Sequence, residues 1–104
     1  LVHDVAGLMM SYRGALALKT RIDLPNAPNG PPCASCDAPC LTACPVGALS
    51  QSGYDTASCH AYLDTAPGTD CMDRGCAVRR ACPVSRSYGR LPEQSAFHMR
   101  RFHP

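Results

Sequence analysis

The spacing of eight cysteines within 104 residues constrains this chain more than any other feature. Four lie close together from Cys33 to Cys44, three more run from Cys71 to Cys82, and Cys59 stands alone between the two runs. Large apolar side chains are scarce, with two Phe and no Trp, whereas ten Pro and eight Gly predict many turns. A single domain of this size and composition is a marginal folder. Metal ligation by the cysteines would add the missing folding energy.

Both runs end in the same tetrapeptide, Ala-Cys-Pro-Val, at residues 43–46 and 81–84. Close cysteines followed by a terminal Cys-Pro are typical of two-cluster ferredoxins, in which the last cysteine of each run binds the other cluster. Eight thiolates suffice for two [4Fe–4S] clusters. By this rule the ligands of cluster one are Cys33, Cys36, Cys40 and Cys82. Counting then assigns cluster two the remaining ligands, Cys44, Cys59, Cys71 and Cys76.

The spacing departs from the simple ferredoxin pattern in both runs. Three residues separate Cys36 from Cys40, and the gaps of the second run are four and five residues. Zinc is an alternative, because four-cysteine zinc sites also hold small domains together, but only Cys33 and Cys36 have the usual zinc spacing. Disulfides are less favoured because the first run is too tight to bridge distant segments. With no export signal visible, we expect a reducing, cytoplasmic location.

Three segments resemble the iron–sulfur domain of the epoxyqueuosine reductase-like family. They are the first run through Leu49, the isolated element Cys59-His-Ala-Tyr-Leu63, and the late run ending at Pro83. Residues 6–14 resemble the linker that enters that domain. The resemblance covers about residues 30–85. It implies two [4Fe–4S] clusters that pass electrons to a cobalamin held by a preceding domain, and no cobalamin-binding part is recognisable in this chain.

The function predicted is therefore electron transfer through two clusters. One alternative is the cluster domain of a cobalamin-dependent reductase lacking its N-terminal half, which the start at Leu1 allows, and another is a zinc-stabilised interaction module. The sequence has no nucleophile–base pair, phosphate loop or paired-carboxylate site, so we expect no catalytic site of its own. The expected partner is a redox protein or an adjoining reductase domain, and neither a membrane nor a nucleic acid is expected.

Charge is distributed unevenly along the chain. Residues 1–73 carry a net charge of −4 and residues 74–104 a net charge of +6, which includes seven arginines. The arginines of the last third, with Arg79 and Arg80 foremost, are a candidate docking surface for an acidic partner, because complementary charge speeds encounter. A solvated basic face that binds nothing is the equally simple alternative.

The predicted fold is mainly α with irregular loops, α+β at most: a dicluster ferredoxin-like domain with flanking helices. Residues 1–32 are expected to form an N-terminal helix over 4–20, capped by Asp4, and a Pro-rich connector over 23–32. Residues 33–85 form the two-cluster domain and residues 86–104 a C-terminal helix packed on it, all in one globular unit. Within these parts we expect a helical turn at 40–44, a hairpin near 46–54, helices over 56–65 and 75–82, a cap at Asp70 and a helix from Pro92.

Overall fold

The computed structural model describes residues 1–25, 30–50 and 52–104. Within these residues the protein is mainly helical, as predicted, with one small hairpin; the dicluster ferredoxin topology stays a prediction. The elements are a 3₁₀ helix at Pro39–Leu41, strands β1 (Leu49–Ser50) and β2 (Gly53–Tyr54), and helices α1 (Thr56–Leu63), α2 (Thr69–Arg74), α3 (Ala77–Ala81), α4 (Pro83–Ser87) and α5 (Pro92–Phe102).

The hairpin β1–β2 is antiparallel and lies where the sequence predicted it. Leu49 pairs with Tyr54, and Ser50 pairs with Gly53. The N–H of Asp55 donates to the carbonyl of Ala48 over 2.8 Å, which extends the pairing to the start of α1. The hairpin therefore folds α1 back towards the end of the first cysteine run.

Helix α1 begins as the sequence predicted, with Asp55 as its N-cap. The carboxylate of Asp55 accepts hydrogen bonds from the backbone N–H of Ser58 over 3.0 Å and from its hydroxyl over 2.6 Å. Such a cap satisfies donors that the first helical turn leaves unpaired. The helix ends at Leu63, two residues earlier than expected, and turns over residues 64–68 lead to α2.

Three short helices follow in quick succession. The predicted helix over 75–82 is observed as α3, and Cys82 ends it with an extended backbone because the following Pro83 disfavours the helical conformation there. Pro83 then begins α4, where its fixed backbone angle suits the first position. The prediction that Asp70 caps α2 is wrong. Gly68 is the N-cap, and the carboxylate of Asp70 instead binds Arg74 and Arg80.

Helix α5 begins at Pro92, as predicted, and packs against α2. The side chain of Gln94 accepts a hydrogen bond from the backbone N–H of Leu91 over 3.2 Å, which closes the first turn. Gly75, with φ of 89°, lets the end of α2 approach α5 closely, because a Cβ at this position would lie 2.7 Å from the Cβ of Ser95. The loop between α2 and α3 therefore lies directly on α5.

The predicted helix over 4–20 is wrong. His3 and Gly7 exchange two backbone hydrogen bonds of 2.9 Å in a tight loop, and Gly7 has a left-handed backbone with φ of 56°. The imidazole of His3, not Asp4, accepts from the N–H groups of Val5 and Ala6. Residues 10–25 are exposed and contain no helix or strand. Their apolar pattern has no packing partner, and packing supplies most helical stability in proteins.

The interior is built from small side chains. The buried apolar residues are Ala6, Ala48, Leu63, Cys71, Val78, Cys82 and Ala96. No large side chain among the described residues is completely enclosed, whereas Leu16 is 93% exposed and Leu24 is 75% exposed. The predicted connector over 23–32 lies partly outside the described residues. In the part of the chain that the structure describes, we find no helix with the length and apolar character to cross a membrane.

Candidate functional site

All eight cysteines are free thiols in the structure, and they differ in exposure. Cys71 and Cys82 are buried, whereas Cys33 is exposed. The remaining five are half-buried: Cys36, Cys40, Cys44, Cys59 and Cys76. The second run and Cys59 are held by helices, whereas the first run lies mostly in turns.

The hydroxyl of Tyr54 identifies one group of cysteines that come from separate segments. Burial raises the pKa of Tyr54 well above its usual value, and a hydrogen bond to the Cys59 sulfur raises it further. The negative charges of Cys59, Cys76 and Cys44 add to the same shift. Coulombic effects of this kind require proximity. Cys44, Cys59 and Cys76 therefore lie near one phenol.

Cys71 belongs to the same neighbourhood. Burial raises the pKa of its thiol, and the charge of Cys76 raises it further, whereas the backbone N–H of Ala77 and the guanidinium of Arg80 act in the opposite direction. Cys76 thus interacts with both Tyr54 and Cys71. The sequence assigned Cys44, Cys59, Cys71 and Cys76 to cluster two, and this assignment stays a prediction.

Cys82 is surrounded by hydrogen-bond donors. Burial alone would raise the pKa of its thiol, but donors from Ser85, Val84 and Leu8 outweigh burial and lower it. They are the backbone N–H groups of these three residues and the hydroxyl of Ser85. Two of the three residues lie in the first turn of α4, and Leu8 comes from the N-terminal loop. The Cys82 sulfur therefore lies in a setting that stabilises negative charge.

The first run reaches this region through packing of its 3₁₀ helix. Cys36 donates its backbone N–H to the carbonyl of Cys33 over 3.3 Å in a turn. Cys40 lies in the 3₁₀ helix, which packs against α3. Because Cys82 ends α3, this packing brings together the elements that carry Cys40 and Cys82. The connecting residue Ala38 has a left-handed backbone with φ of 51°, an uncommon conformation for a residue other than glycine.

The described side chains do not close around a single ion. Among the described residues, which include all eight cysteines, no three His, Cys, Asp or Glu side chains are placed to hold one metal ion. A tetrahedral zinc site with Zn–S bonds of about 2.3 Å would require sulfur atoms about 4 Å apart. A [4Fe–4S] cluster instead binds each thiolate at a different iron, so its ligands are spread more widely.

A pair of histidines joins α1 to the end of α5, which the sequence did not predict. The Nδ1 atoms of His103 and His60 lie 2.9 Å apart, and Nε2 of His103 lies 2.8 Å from a carboxylate oxygen of Asp64. The ring of Phe102 packs edge-on against His60 with centroids 4.7 Å apart. The only signal in the sequence was the spacing of His60 and Asp64, which places them on one helical face. Nothing in it indicated the partner 43 residues away.

The side chain of Arg80 is half-buried and binds groups of its own chain, and the docking surface stays a prediction. Its Nε donates to the carbonyl of Gly75 over 2.8 Å, and its Nη2 binds the carboxylate of Asp70. Its guanidinium also acts on the Cys71 thiol. Arg80 therefore links Asp70, Cys71 and Gly75 within the segment that carries the second cysteine run.

Comparison of the chain with known protein families, with curated proteins and with solved structures found no match.

Proposed function

We propose that this chain is an electron-transfer protein that binds two [4Fe–4S] clusters. Cluster one is held by Cys33, Cys36, Cys40 and Cys82, and cluster two by Cys44, Cys59, Cys71 and Cys76. When bound, each cluster would accept and return one electron at a time. The ligand type agrees with this proposal, because soft thiolates favour iron–sulfur centres.

The observation that carries the proposal is the position of Cys44. It belongs to the first run, yet its charge acts on the pKa of Tyr54 together with the charges of Cys59 and Cys76, so it lies near these two cysteines. In crossed ligation the last cysteine of each run binds the cluster held mainly by the other run. Cys44 must therefore lie near the cysteines of cluster two. The packing of the Cys40 helix against α3, which Cys82 ends, supports the reciprocal exchange.

The composition of the interior provides a second line of support. Most of the buried apolar residues are alanine or cysteine, and none of the large described side chains is completely enclosed. Such a core leaves little apolar area to offset the entropy of folding. Two clusters at its centre would contribute the missing cohesion, because ligand binding that requires the folded state stabilises that state.

The surroundings of the sulfurs suit a redox role. Hydrogen bonds to cluster thiolates and nearby charges set the reduction potential of such centres. Leu8, Val84 and Ser85 provide donors at Cys82, whereas Tyr54 donates at Cys59 and Arg80 acts at Cys71. Both proposed clusters would therefore have groups on this chain that stabilise the additional negative charge of the reduced state.

Crossed ligation can be tested on a one-cluster background. The variant Cys59→Ala/Cys76→Ala lacks two ligands of cluster two and should assemble cluster one alone. On that background, adding Cys82→Ala should abolish the iron–sulfur absorbance and the electron paramagnetic resonance signal of the reduced protein. Adding Cys44→Ala, the matched change at the end of the other run, should leave both signals intact. The reverse pattern would refute crossed ligation, and colourless protein that contains zinc would refute the clusters.

A second candidate is the cluster domain of a larger cobalamin-dependent reductase. The exposed residues of segment 10–25 favour it, since Leu16, Leu18 and Leu24 have no apolar cover and exposed apolar groups in one segment mark contact surfaces. An adjoining domain would cover them. A cobalamin-binding domain encoded upstream in the same reading frame would decide for this candidate, and its absence from that frame would decide for the independent carrier.

A further inference from the structure

Four arginines, one each from α2, α3, α4 and the loop that precedes α5, line one cavity of about 340 Å³. It lies between the N-terminal loop, α4 and the start of α5. The arginines are Arg74, Arg80, Arg86 and Arg90. Met9 and Pro92 provide apolar lining at the same cavity. Its volume is at the lower end of the range of about 300–1,000 Å³ that small-molecule sites occupy.

The arginines have hydrogen-bonding capacity that the protein does not use. Arg90 donates from Nη1 to the carbonyl of Met9 over 2.9 Å and from Nη2 to the carbonyl of Gln94 over 3.3 Å. Its Nε is buried and has no hydrogen-bond partner among the described residues. Leaving a buried donor unpaired is costly. A guanidinium has five N–H donors, so Arg74 also retains donors beyond its bond to Asp70.

Positive charge predominates among the described residues that line this cavity. None of those lining residues is acidic. Asp70 binds two of the arginines, Arg74 and Arg80, and its single negative charge cannot neutralise the four guanidinium groups. A concave site with charges of one sign attracts ligands of the opposite sign.

We propose that this cavity binds a small phosphate-bearing molecule, with the phosphate on the arginines and the organic part against Met9 and Pro92. A phosphate carries more negative charge than a carboxylate and offers more acceptor oxygens to several guanidinium groups at once. The planar fork of arginine also matches phosphate oxygens in pairs. This site goes beyond the proposed electron transfer and does not depend on it.

The test is equilibrium dialysis of the full chain at constant ionic strength, with inorganic phosphate and phenyl phosphate as probes and benzoate as the matched carboxylate. We expect one saturable site for phenyl phosphate, with weaker binding of inorganic phosphate and no displacement by equimolar benzoate. Equal binding of both phosphates would assign the site to the free anion and overturn the organic part of the proposal. Equal binding of benzoate, or the absence of saturable binding, would overturn the phosphate site.

Arg86→Gln is the decisive variant. Arg86 is an exposed residue of α4, so the loss of its side chain should leave the fold intact. It should weaken phenyl phosphate binding about tenfold, since a charge-assisted contact is lost. Arg79→Gln removes the same charge outside the cavity and should leave binding unchanged. Equal weakening by both variants would show that the basic region attracts the anion without a specific site, which would overturn the proposal. Retained phosphate binding in protein that assembles no clusters would leave this inference standing while the proposed function fails.

Discussion

The hydroxyl oxygen of Ser85 accepts a hydrogen bond from the backbone N–H of Leu8 over 2.8 Å, which joins residues 77 positions apart in the chain. Ser85 is buried, and it also donates to the nearby Cys82 sulfur. The Ser85 side chain thus holds the N-terminal loop next to Cys82, a proposed cluster ligand. The loop has no regular secondary structure that could hold it in place by itself.

Replacing Ser85 by Ala should therefore destabilise the protein. The Leu8 N–H would lose its hydroxyl acceptor, and the Cys82 sulfur would lose one of its donors. The expected loss is about 1–3 kcal/mol in the free energy of unfolding, measured by urea titration under anaerobic conditions. Ser87→Ala is the matched control, because Ser87 is exposed and bonds only to the carbonyl of Val84 in its own helix. Equal effects of the two changes would contradict the role of Ser85.

Gly7→Ala should be more damaging than the same change at Gly14. A Cβ at Gly7 would lie 2.5 Å from the backbone nitrogen of Ser85, and the left-handed backbone at Gly7 disfavours alanine. We expect a loss of roughly 2–4 kcal/mol for Gly7→Ala. A Cβ at Gly14 would meet nothing within 4 Å, so Gly14→Ala should change stability by less than about 0.5 kcal/mol. Thermal unfolding compares the two, and similar melting temperatures would refute the close approach of Gly7 to α4.

The cap at Asp55 should weaken in acid. Hydrogen bonds from the hydroxyl and then the backbone N–H of Ser58 lower the pKa of the Asp55 carboxyl in the folded protein. A lowered pKa means that the carboxylate stabilises the folded state above the unfolded pKa of about 3.9, and that this contribution is lost as the pH falls through the folded pKa. Asp55→Asn keeps an acceptor but does not titrate.

The difference in stability between the natural protein and Asp55→Asn should therefore be constant above about pH 5 and shrink as the pH is lowered from about 4 towards about 2. Urea unfolding at each pH gives this difference. A difference that is constant over the range would show that the charge of Asp55 does not contribute to the cap.

Arg80→Gln should make the reduction potential of cluster two more negative. The guanidinium lies beside Cys71 and is held by Gly75 and Asp70, so its positive charge would favour the reduced cluster. Arg79→Gln removes the neighbouring charge, for which no contact with a cysteine is found among the described residues. Redox titration followed by electron paramagnetic resonance should show a larger shift for Arg80→Gln. A larger shift for Arg79→Gln would contradict the proposed effect of the Arg80 charge on cluster two.

Local signals in the sequence predicted the later elements well. Asp55 followed by helix-forming residues defined the start of α1, and Pro92 defined the start of α5. The hairpin likewise lies in the segment near 46–54 where the sequence predicted it. In each case the determining interaction lies within a few residues, so that propensity and capping are sufficient to predict it.

Features that depend on distant contacts were not predictable. The apolar spacing of residues 4–20 indicated a helix, but Gly7 bends back on His3 and Leu8 binds Ser85 instead. The sequence predicted Asp70 as a helix cap, but its carboxylate binds Arg74 and Arg80, which follow it in the chain. The contact of His60 with His103 depends on how α5 ends against α1. The cysteine spacing predicted two ligand sets, and both stay predictions.

The most direct measurement is the iron, acid-labile sulfide and zinc content of the anaerobically prepared protein. Two [4Fe–4S] clusters predict about eight iron atoms and about eight sulfides per chain, with no stoichiometric zinc. About four of each would mean that one of the two ligand sets is wrong. Stoichiometric zinc without sulfide would contradict the account.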